Sequence, residues 1–338
     1  MLSPPKPPLP PIPPLPLIAP LAPAPAQAIG LPNGCDQVLH LMGATKLVDF
    51  LTFALQRADL SVDLGGDGNT EMDLAEAWRD AAEGYRELAQ AEAYPLELPG
   101  VFPLPDSMSS HVDAFLGKAH VQREFDQVPV ALGMVPLAHL IAVQTRMNMT
   151  TVAVHAAQLA ERAIADLALA QLCLPLEAPL HVLQVVERND EAITFASEHH
   201  DIRFLHADVT DTLFGVSAGR GHLKKSLALG VGFPGNVLNV IRFENRFILN
   251  HGYHRAYALL KCGVTHVPAV IQMCRHWDDV ALLGNTELFN NVAVYIERTR
   301  PPLLKDFADR LFHVAFAVPR VRRYVRVRYQ VETGYLRD

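Results

Sequence analysis

The chain has 338 residues, of which half are apolar and 19% are charged, so it can bury a core and is not disordered throughout. Its net charge of −7 excludes a generally basic nucleic-acid coat, although residues 298–338 carry 10 Lys and Arg against 4 Asp and Glu. Four scattered cysteines without a C-x-x-C pair argue against a zinc ribbon or a disulfide framework. Reduced thiols in a cytoplasmic protein are therefore expected.

Residues 1–34 form a proline-rich segment, with 13 of the 26 prolines lying before residue 33. Each proline removes an N–H donor and fixes φ, so this segment cannot be a helix and polyproline II is the alternative. A signal peptide and a membrane span are excluded on the same ground. We predict a disordered tail, and its P-x-x-P spacing leaves open docking into the aromatic groove of a protein partner.

Residues 35–175 are predicted to be mainly helical. One apolar face runs through residues 47–55 and another through Leu74, Trp78, Ala81, Tyr85 and Leu88, at spacings of four and three. A further helix is predicted over residues 150–172. The Asp- and Gly-rich stretch 63–69 lacks the ligand alternation of a calcium loop, so no calcium site is predicted there.

Residues 181–275 alternate between strand and helix patterns. Strands are predicted at 181–186 and 202–205, and a hairpin at 236–241 and 246–250 turns at Glu244 and Asn245. A helix begins at His254 and ends before Gly263, and a third strand covers 266–271. The order of these elements predicts a small α/β unit.

The junction at Gly252 is the most informative point, because a strand runs through it directly into a helix. The first N–H groups of a helix have no partner, and the helix dipole favours an anion there. Gly252 permits a close approach of the backbone, and Arg255 can hold a phosphate with two hydrogen bonds. The alternative is that His254 and Arg255 only cap and solubilise the helix.

The segment 248–258, Ile-Leu-Asn-His-Gly-Tyr-His-Arg-Ala-Tyr-Ala, is similar to the Gly-x-His-Arg box of the ParB/sulfiredoxin-like superfamily. The flanks resemble the family in the same order. Residues 223–240 look like its helix, glycine and first hairpin strand, residues 263–270 like its closing Gly and Val-Pro strand, and 204–209 like its first strand and loop. The resemblance covers about 70–95 residues. It implies an α+β protein whose region 176–338 is a ParB/sulfiredoxin-like α/β domain ending in a basic strand.

The resemblance implies a cradle for nucleotide phosphates. It assigns the phosphate contacts to Gly252, Tyr253, His254 and Arg255. Lys225 and Ser226 would be further nucleotide contacts, Asp208 the general base, and His254 a second catalytic group. Glu187 and Glu244 are alternative bases. The implied ligand is a nucleoside triphosphate or diphosphate (ATP, ADP or CTP), with Mg²⁺ if a phosphoryl group is transferred.

Three departures from the family pattern restrict the function. Tyr253 stands where sulfiredoxins carry cysteine, and His251 stands where many kinase-like members carry aspartate. No recognition helix is found in the 63 residues after Arg275, which weighs against chromosome partition and nucleic-acid binding. The leading hypothesis is a nucleotide-binding phosphotransferase or NTPase acting on a small or peptide substrate. The alternatives are a non-catalytic ligand- or peptide-binding protein and a ParB-like DNA-associated protein.

Two further patterns occur in the sequence, a group of histidines and an alternation of valine with arginine. The grouped histidines His199, His200 and His206 with Asp208, or His251 with His254, are expected by chance among fifteen histidines, so no metal site is predicted. Residues 321–331 alternate valine with arginine, which predicts a half-buried strand with an arginine face. This strand is either an edge protected by charge or a contact for an acidic partner.

Overall fold

The structure is a computed structural model that describes residues 31, 33–57, 70–92, 94, 101–160, 165–177, 181–199, 202–210, 225–233, 235–283 and 286–336. Apart from Leu31, Asn33 and Gly34, the predicted tail lies outside the described residues. The stretch 63–69 also lies outside them.

The chain is a mixed α+β protein. Its helices are α1 (Leu47–Arg57), α2 (Glu71–Ala91), α3 (Ser109–Leu116), α4 (Ala119–Glu124), α5 (Met149–Ala160), α6 (Asp166–Cys173), α7 (Tyr253–Lys261), α8 (Trp277–Leu282) and α9 (Thr286–Asn290). Its strands are β1 (Cys35–Leu41), β2 (Val130–Pro136), β3 (Ile141–Ala142), β4 (Arg146–Asn148), β5 (Gln184–Arg188), β6 (Ala192–Ser197), β7 (Arg203–Thr210), β8 (Ser226–Gly232), β9 (Asn239–Phe243), β10 (Arg246–His251), β11 (His266–Cys274), β12 (His313–Pro319) and β13 (Arg323–Arg328). Short 3₁₀ turns lie at Asp106–Met108, Leu137–His139 and Leu304–Ala308, and a π-helical turn lies at Ala293–Glu297.

The largest sheet has the strand order β2-β11-β9-β10-β3. β11 pairs antiparallel with β2 and parallel with β9, and β9 and β10 form the predicted hairpin. Glu244 has a φ of 54° at the hairpin turn, a left-handed conformation that tight hairpin turns require. The predicted strand 266–271 is confirmed as part of β11.

A second sheet, in the order β12-β1-β4, joins the two ends of the described chain. β1 pairs antiparallel with β12 along its whole length, from Cys35 opposite Pro319 to Leu41 opposite His313. The apolar faces of these sheets and of helices α1, α2, α5, α6 and α7 meet in one hydrophobic core. A smaller cluster packs β10 and β3 against α8, α9 and the π-helical turn.

Two small sheets complete the fold. β5, β6 and β13 form a three-stranded antiparallel sheet, and β7 and β8 form a two-stranded one. β7 is exposed along most of its length. Among the described residues no helix is long and apolar enough to cross a membrane.

The predicted helices at 47–55 and 74–88 are confirmed by α1 and α2. The expectation of a mainly helical region over 35–175 is correct only in part, because strands β1 to β4 lie inside it. β3 and β4 are short, and the partners of all four strands lie far along the chain, so local periodicity gives little signal for them. The helix predicted at 150–172 is seen as α5 and α6, with 161–164 outside the described residues.

The resemblance also placed a helix over residues 223–227, and that placement is wrong for its described part. Ser226 is the first residue of β8 and lies opposite Thr210 in the antiparallel pair of β7 and β8. The run Ser-Leu-Ala-Leu contains good helix formers, but pairing with a neighbouring strand overrides such weak local preferences.

Strands that follow residue 181 pair with strands that precede residue 175, so we predict that residues 181–338 do not fold alone. β11, β10 and β12 would lose their partners β2, β3 and β1, which exposes apolar edges and faces. We expect the fragment 181–338 to be insoluble, or to lack a cooperative transition when its unfolding is followed by circular dichroism. Co-expression with residues 1–177 is the control and should restore solubility. A soluble fragment with cooperative unfolding would contradict the prediction.

Candidate functional site

The predicted strand-glycine-helix junction is present in the structure. β10 ends at His251, Gly252 has a φ of 91°, and α7 begins at Tyr253. A Cβ atom on Gly252 would lie 3.3 Å from the Cα atom of Leu238. Both the left-handed backbone and the close approach therefore favour glycine at this position.

Tyr253 serves the fold at this junction. Its side chain is buried, and its hydroxyl donates a hydrogen bond to the carbonyl of Leu249. The same oxygen accepts hydrogen bonds from the N–H groups of Val143, at 3.1 Å, and Gln144, at 3.2 Å. Burial raises the pKa of Tyr253 well above its usual range. The tyrosine thus ties α7 to the chain that follows β3, which is a different role from the phosphate contact that the resemblance implies.

His254 connects α7 to the start of α5. Its Nε2 atom accepts a hydrogen bond from the N–H of Asn148 at 3.2 Å, so the ring proton of the neutral imidazole is assigned to Nδ1. The amide oxygen of Asn148 in turn accepts from the N–H of Thr151, in the first turn of α5. His254 and Gly252 are both half-buried, so the turn reaches the surface.

Arg255 is the unusual residue of the turn. Its side chain is 2% exposed, and its Nη1 donates to the carbonyl of Asn236 at 2.9 Å. Its Nε is buried and has no hydrogen-bond partner among the described residues. No carboxylate of that part of the chain forms an ion pair with it. Burial lowers the pKa of the guanidinium.

Arg300 shows how the same fold buries a cation with its counter-ion. Its guanidinium donates to both carboxylate oxygens of Asp306, at 2.8 and 2.7 Å. Asp306 also accepts from the hydroxyl of Tyr85 at 3.0 Å. Arg300 therefore has the acidic partner that the described structure does not give to Arg255.

Two polar side chains from other helices lie near Arg255. Burial, together with the charges of Arg255 and His199, lowers the pKa of His155 to about 4. The Nδ1 atom of His155 is buried without a hydrogen-bond partner among the described residues. Cys173, at the end of α6, is fully buried, and burial raises the pKa of its thiol to about 12. The guanidinium thus lies beside a neutral imidazole and a neutral thiol.

The segment before β9 forms another side of the site. Glu124 accepts a hydrogen bond from the N–H of Gly235, while Arg255 donates to the next residue, Asn236. The N–H of Leu238 donates to the carbonyl of Cys173 at 2.8 Å. Burial raises the pKa of Glu124. The segment 235–238 is therefore fixed from three directions, and its position fixes the Arg255 head group.

An aromatic cluster lies at the start of the same segment. The rings of His181 and His199 stack with centroids 3.6 Å apart, and the ring of Phe233 meets them edge-on at 4.8 and 5.5 Å. His199 is the histidine whose charge lowers the pKa of His155. The cluster therefore lies within electrostatic range of His155.

The remaining predicted residues lie in the β7–β8 sheet. Asp208 lies opposite Ala228 on this sheet and forms an ion pair with His206 at 3.6 Å, with 71% of its side chain exposed. The hydroxyl of Ser226 donates to the carbonyl of Thr210 at 3.3 Å. Lys225 immediately precedes β8. The structure therefore groups Asp208, Lys225 and Ser226 on one hairpin, separate from the strand and helix that form the turn.

The structure also describes the two alternative bases, Glu187 and Glu244. Glu187 accepts hydrogen bonds from Arg326 at 2.8 Å and from Thr194 at 2.9 Å, within the β5-β6-β13 sheet. Glu244 is exposed at the tip of the β9–β10 hairpin.

Sequence reasoning missed three residues of the site, His155, Cys173 and Asn236. Only His155 carried a signal, because it shares the spacing of the apolar stripe predicted for residues 150–172.

Comparison of the chain with protein-family models, curated proteins and solved structures found no match. The resemblance to the ParB/sulfiredoxin-like superfamily therefore rests on the residues quoted above. No group of three or more His, Cys, Asp or Glu side chains able to hold a metal ion occurs in the described ranges, and His200 lies outside them. The chemistry of the site has to be argued from its geometry.

Substitution of Gly252 tests the close approach at the turn. Gly252→Ala should lower the free energy of unfolding by roughly 2–4 kcal/mol, because it adds backbone strain and a crowded contact with Leu238. Gly263→Ala is the matched control, since Gly263 has a φ of 82° and a Cβ atom there would meet nothing within 4 Å. It should cost only about 1 kcal/mol. Equal losses in urea denaturation would show that the contact with Leu238 is unimportant.

Proposed function

We propose that the chain binds a nucleoside di- or triphosphate, such as ATP, ADP or CTP, with a phosphate at the Gly252 turn and Arg255 as its main anchor. The observation that carries the proposal is a buried guanidinium that has no acidic partner among the described residues. The resemblance of the Gly-Tyr-His-Arg segment to a phosphate-binding box supports the same ligand.

The physical argument concerns the cost of burying a charge. A cation that leaves water without a counter-ion loses several kcal/mol, and proteins usually pair such a group. A phosphate beside the turn would supply the charge and an acceptor for Nε. It would also lie at the positive end of the α7 helix dipole. One ligand group would thus balance the buried charge and give Nε an acceptor.

The roles of the four turn residues follow from their contacts. Gly252 permits the approach, Tyr253 positions the helix, and Arg255 supplies the charge. His254 contributes an Nδ1–H donor because its Nε2 is already an acceptor. Lys225 and Ser226 remain proposed contacts of the distal part of the nucleotide. Mg²⁺ would be held by the phosphates; the carboxylate of Glu124, on the neighbouring 235–238 segment, already accepts a hydrogen bond from the N–H of Gly235.

Phosphotransferase or NTPase activity would need a base near the bound phosphates. Asp208 remains the proposed base, but its exposure and its ion pair with His206 favour a second candidate, a binding protein without catalytic activity. Nucleotide hydrolysis by the wild-type chain and by Asp208→Asn separates the two. Hydrolysis that Asp208→Asn abolishes supports the enzyme, whereas binding without turnover supports the second candidate.

Replacement of Arg255 separates binding from folding. Arg255→Met should weaken nucleotide binding roughly 10- to 100-fold, since charge-assisted hydrogen bonds contribute about 1.5–3 kcal/mol. The same change should leave the unliganded melting temperature unchanged or raise it, because it removes an unpaired buried charge. Arg255→Lys should recover only part of the affinity, because an ammonium cannot form the two-pronged contact. Calorimetric titration and thermal melting, with and without Mg²⁺, measure both quantities.

Arg300→Met is the matched control, because it removes a buried arginine that has its counter-ion. It should lower stability by about 3–5 kcal/mol without changing the nucleotide affinity of the folded protein. The proposal fails if the wild-type chain binds none of ATP, ADP, CTP and GTP. It also fails if Arg255→Met loses stability as Arg300→Met does while keeping its affinity.

A further inference from the structure

Strand β13 lies at one edge of the β5-β6-β13 sheet, since β6 is its partner among the described strands. An edge strand presents a row of backbone N–H and C=O groups that a further strand can pair with. The residues after β13, 329–336, are exposed. The outer edge of β13 is therefore an interaction surface, and its side chains determine what can pair with it.

One face of this sheet is rich in arginine. Arg322, Arg326 and Arg328 alternate along β13 and the residue before it, so they share a face. Arg326 is held by the carboxylate of Glu187 at 2.8 Å. Arg322 donates to the neutral amide of Gln184, and Arg328 is exposed. Two of these three arginines thus lack a carboxylate partner in the part of the chain that the structure describes.

The opposite face of the same strand carries two valines after an arginine at its start, Arg323. Val325 lies opposite Phe195, which lies opposite Val185 on the other side, and Val327 lies opposite Ile193. Residues opposite each other in an antiparallel pair share a face, so these five side chains form an apolar patch, with Arg323 at one end and Arg188, opposite Ile193, at the other. Val185 is 58% exposed and the other four are half-buried. The two faces of β13 therefore require different kinds of side chain on a partner strand.

We propose that the outer edge of β13 binds an extended acidic segment of a partner protein by strand addition. In such a segment acidic residues alternate with apolar ones. The acidic residues would lie beside Arg322, Arg326 and Arg328, and the apolar residues would extend the surface formed around Val325 and Val327. Residues 298–338 carry a net charge of +6 within a chain of net charge −7, which gives this end the sign that attracts such a segment.

The charge pattern selects this occupant over a second copy of the chain. Antiparallel pairing of two β13 strands would bring arginines of one copy close to arginines of the other, and like charges across a strand pair are destabilising. The same arginines that prevent self-pairing complement a carboxylate-bearing strand. Protection of the edge and selection of an acidic partner thus follow from one arrangement of side chains.

The test uses the full chain and a fluorescent peptide of about seven residues in which Glu and Val alternate, a length that matches a typical strand. Two comparison peptides separate strand addition from charge attraction. One has the same composition with Glu and Val in separate blocks, and the other carries N-methyl groups on alternate backbone nitrogens, which prevent strand pairing. Fluorescence anisotropy should show binding of the alternating peptide and at least ~10-fold weaker binding of both comparison peptides.

The matched variants change net charge equally. Arg322→Glu with Arg328→Glu should weaken binding of the alternating peptide at least ~10-fold, because it places like charges beside the peptide. Arg79→Glu with Arg86→Glu on the exposed face of α2 should leave binding unchanged. Equal binding of the block or N-methylated peptide would overturn the proposal. It would also be overturned by no binding at about 1 mM, or by a dimer of the wild-type chain that the β13 double variant abolishes.

Discussion

The burial of strand β11 between two neighbours is the constraint on which the position of the site depends. β11 pairs with β2 on one side and with β9 on the other, and most of its residues are buried. The N–H of Val270 in β11 also donates to the carbonyl of Leu238 at 3.0 Å. Because Gly252 packs against Leu238, β11 also determines where the turn lies relative to the sheet. The β9–β10 hairpin leads directly into that turn, and β3 is the edge strand next to β10.

Two buried arginines illustrate different solutions to one electrostatic problem. Arg300 is neutralised within the chain by Asp306, and that pair is further supported by Tyr85 and by the N–H of Leu303. Among the described residues, Arg255 has one hydrogen-bond acceptor, the backbone carbonyl of Asn236. The first arrangement balances the buried charge within the fold, although the Nε atom of Arg300, like that of Arg255, has no hydrogen-bond partner among the described residues. The second leaves a buried charge without a carboxylate partner among those residues, which is where an external anion gains most.

Local signals predicted local structure well. The amphipathic helices, the hairpin, the glycine junction and β11 all follow from spacing or turn residues within a few positions, and the structure confirms them. β1 could not be found in this way, because its partner β12 lies almost 280 residues away. The burial of Arg255 was equally hidden. A helix start usually faces water, and the packing of α7 against α5 and other parts of the fold, together with the 235–238 segment, removes this one from it. His155 and Cys173 lie near Arg255 but belong to two other helices, so no residue spacing in the sequence connects them to the turn.

The two arginine sites that we propose would differ in the kind of anion that each selects. Around Arg255 water is largely excluded, so attraction to a bound anion would be little screened by salt and would depend on the placement of the anion. On β13 the arginines are exposed, and dissolved ions screen them strongly. Charge alone is therefore a weak discriminator at that edge, and backbone pairing together with the apolar face must provide the selectivity. In these proposals arginine would thus select its ligand through burial at one place in the fold and through strand pairing at the other.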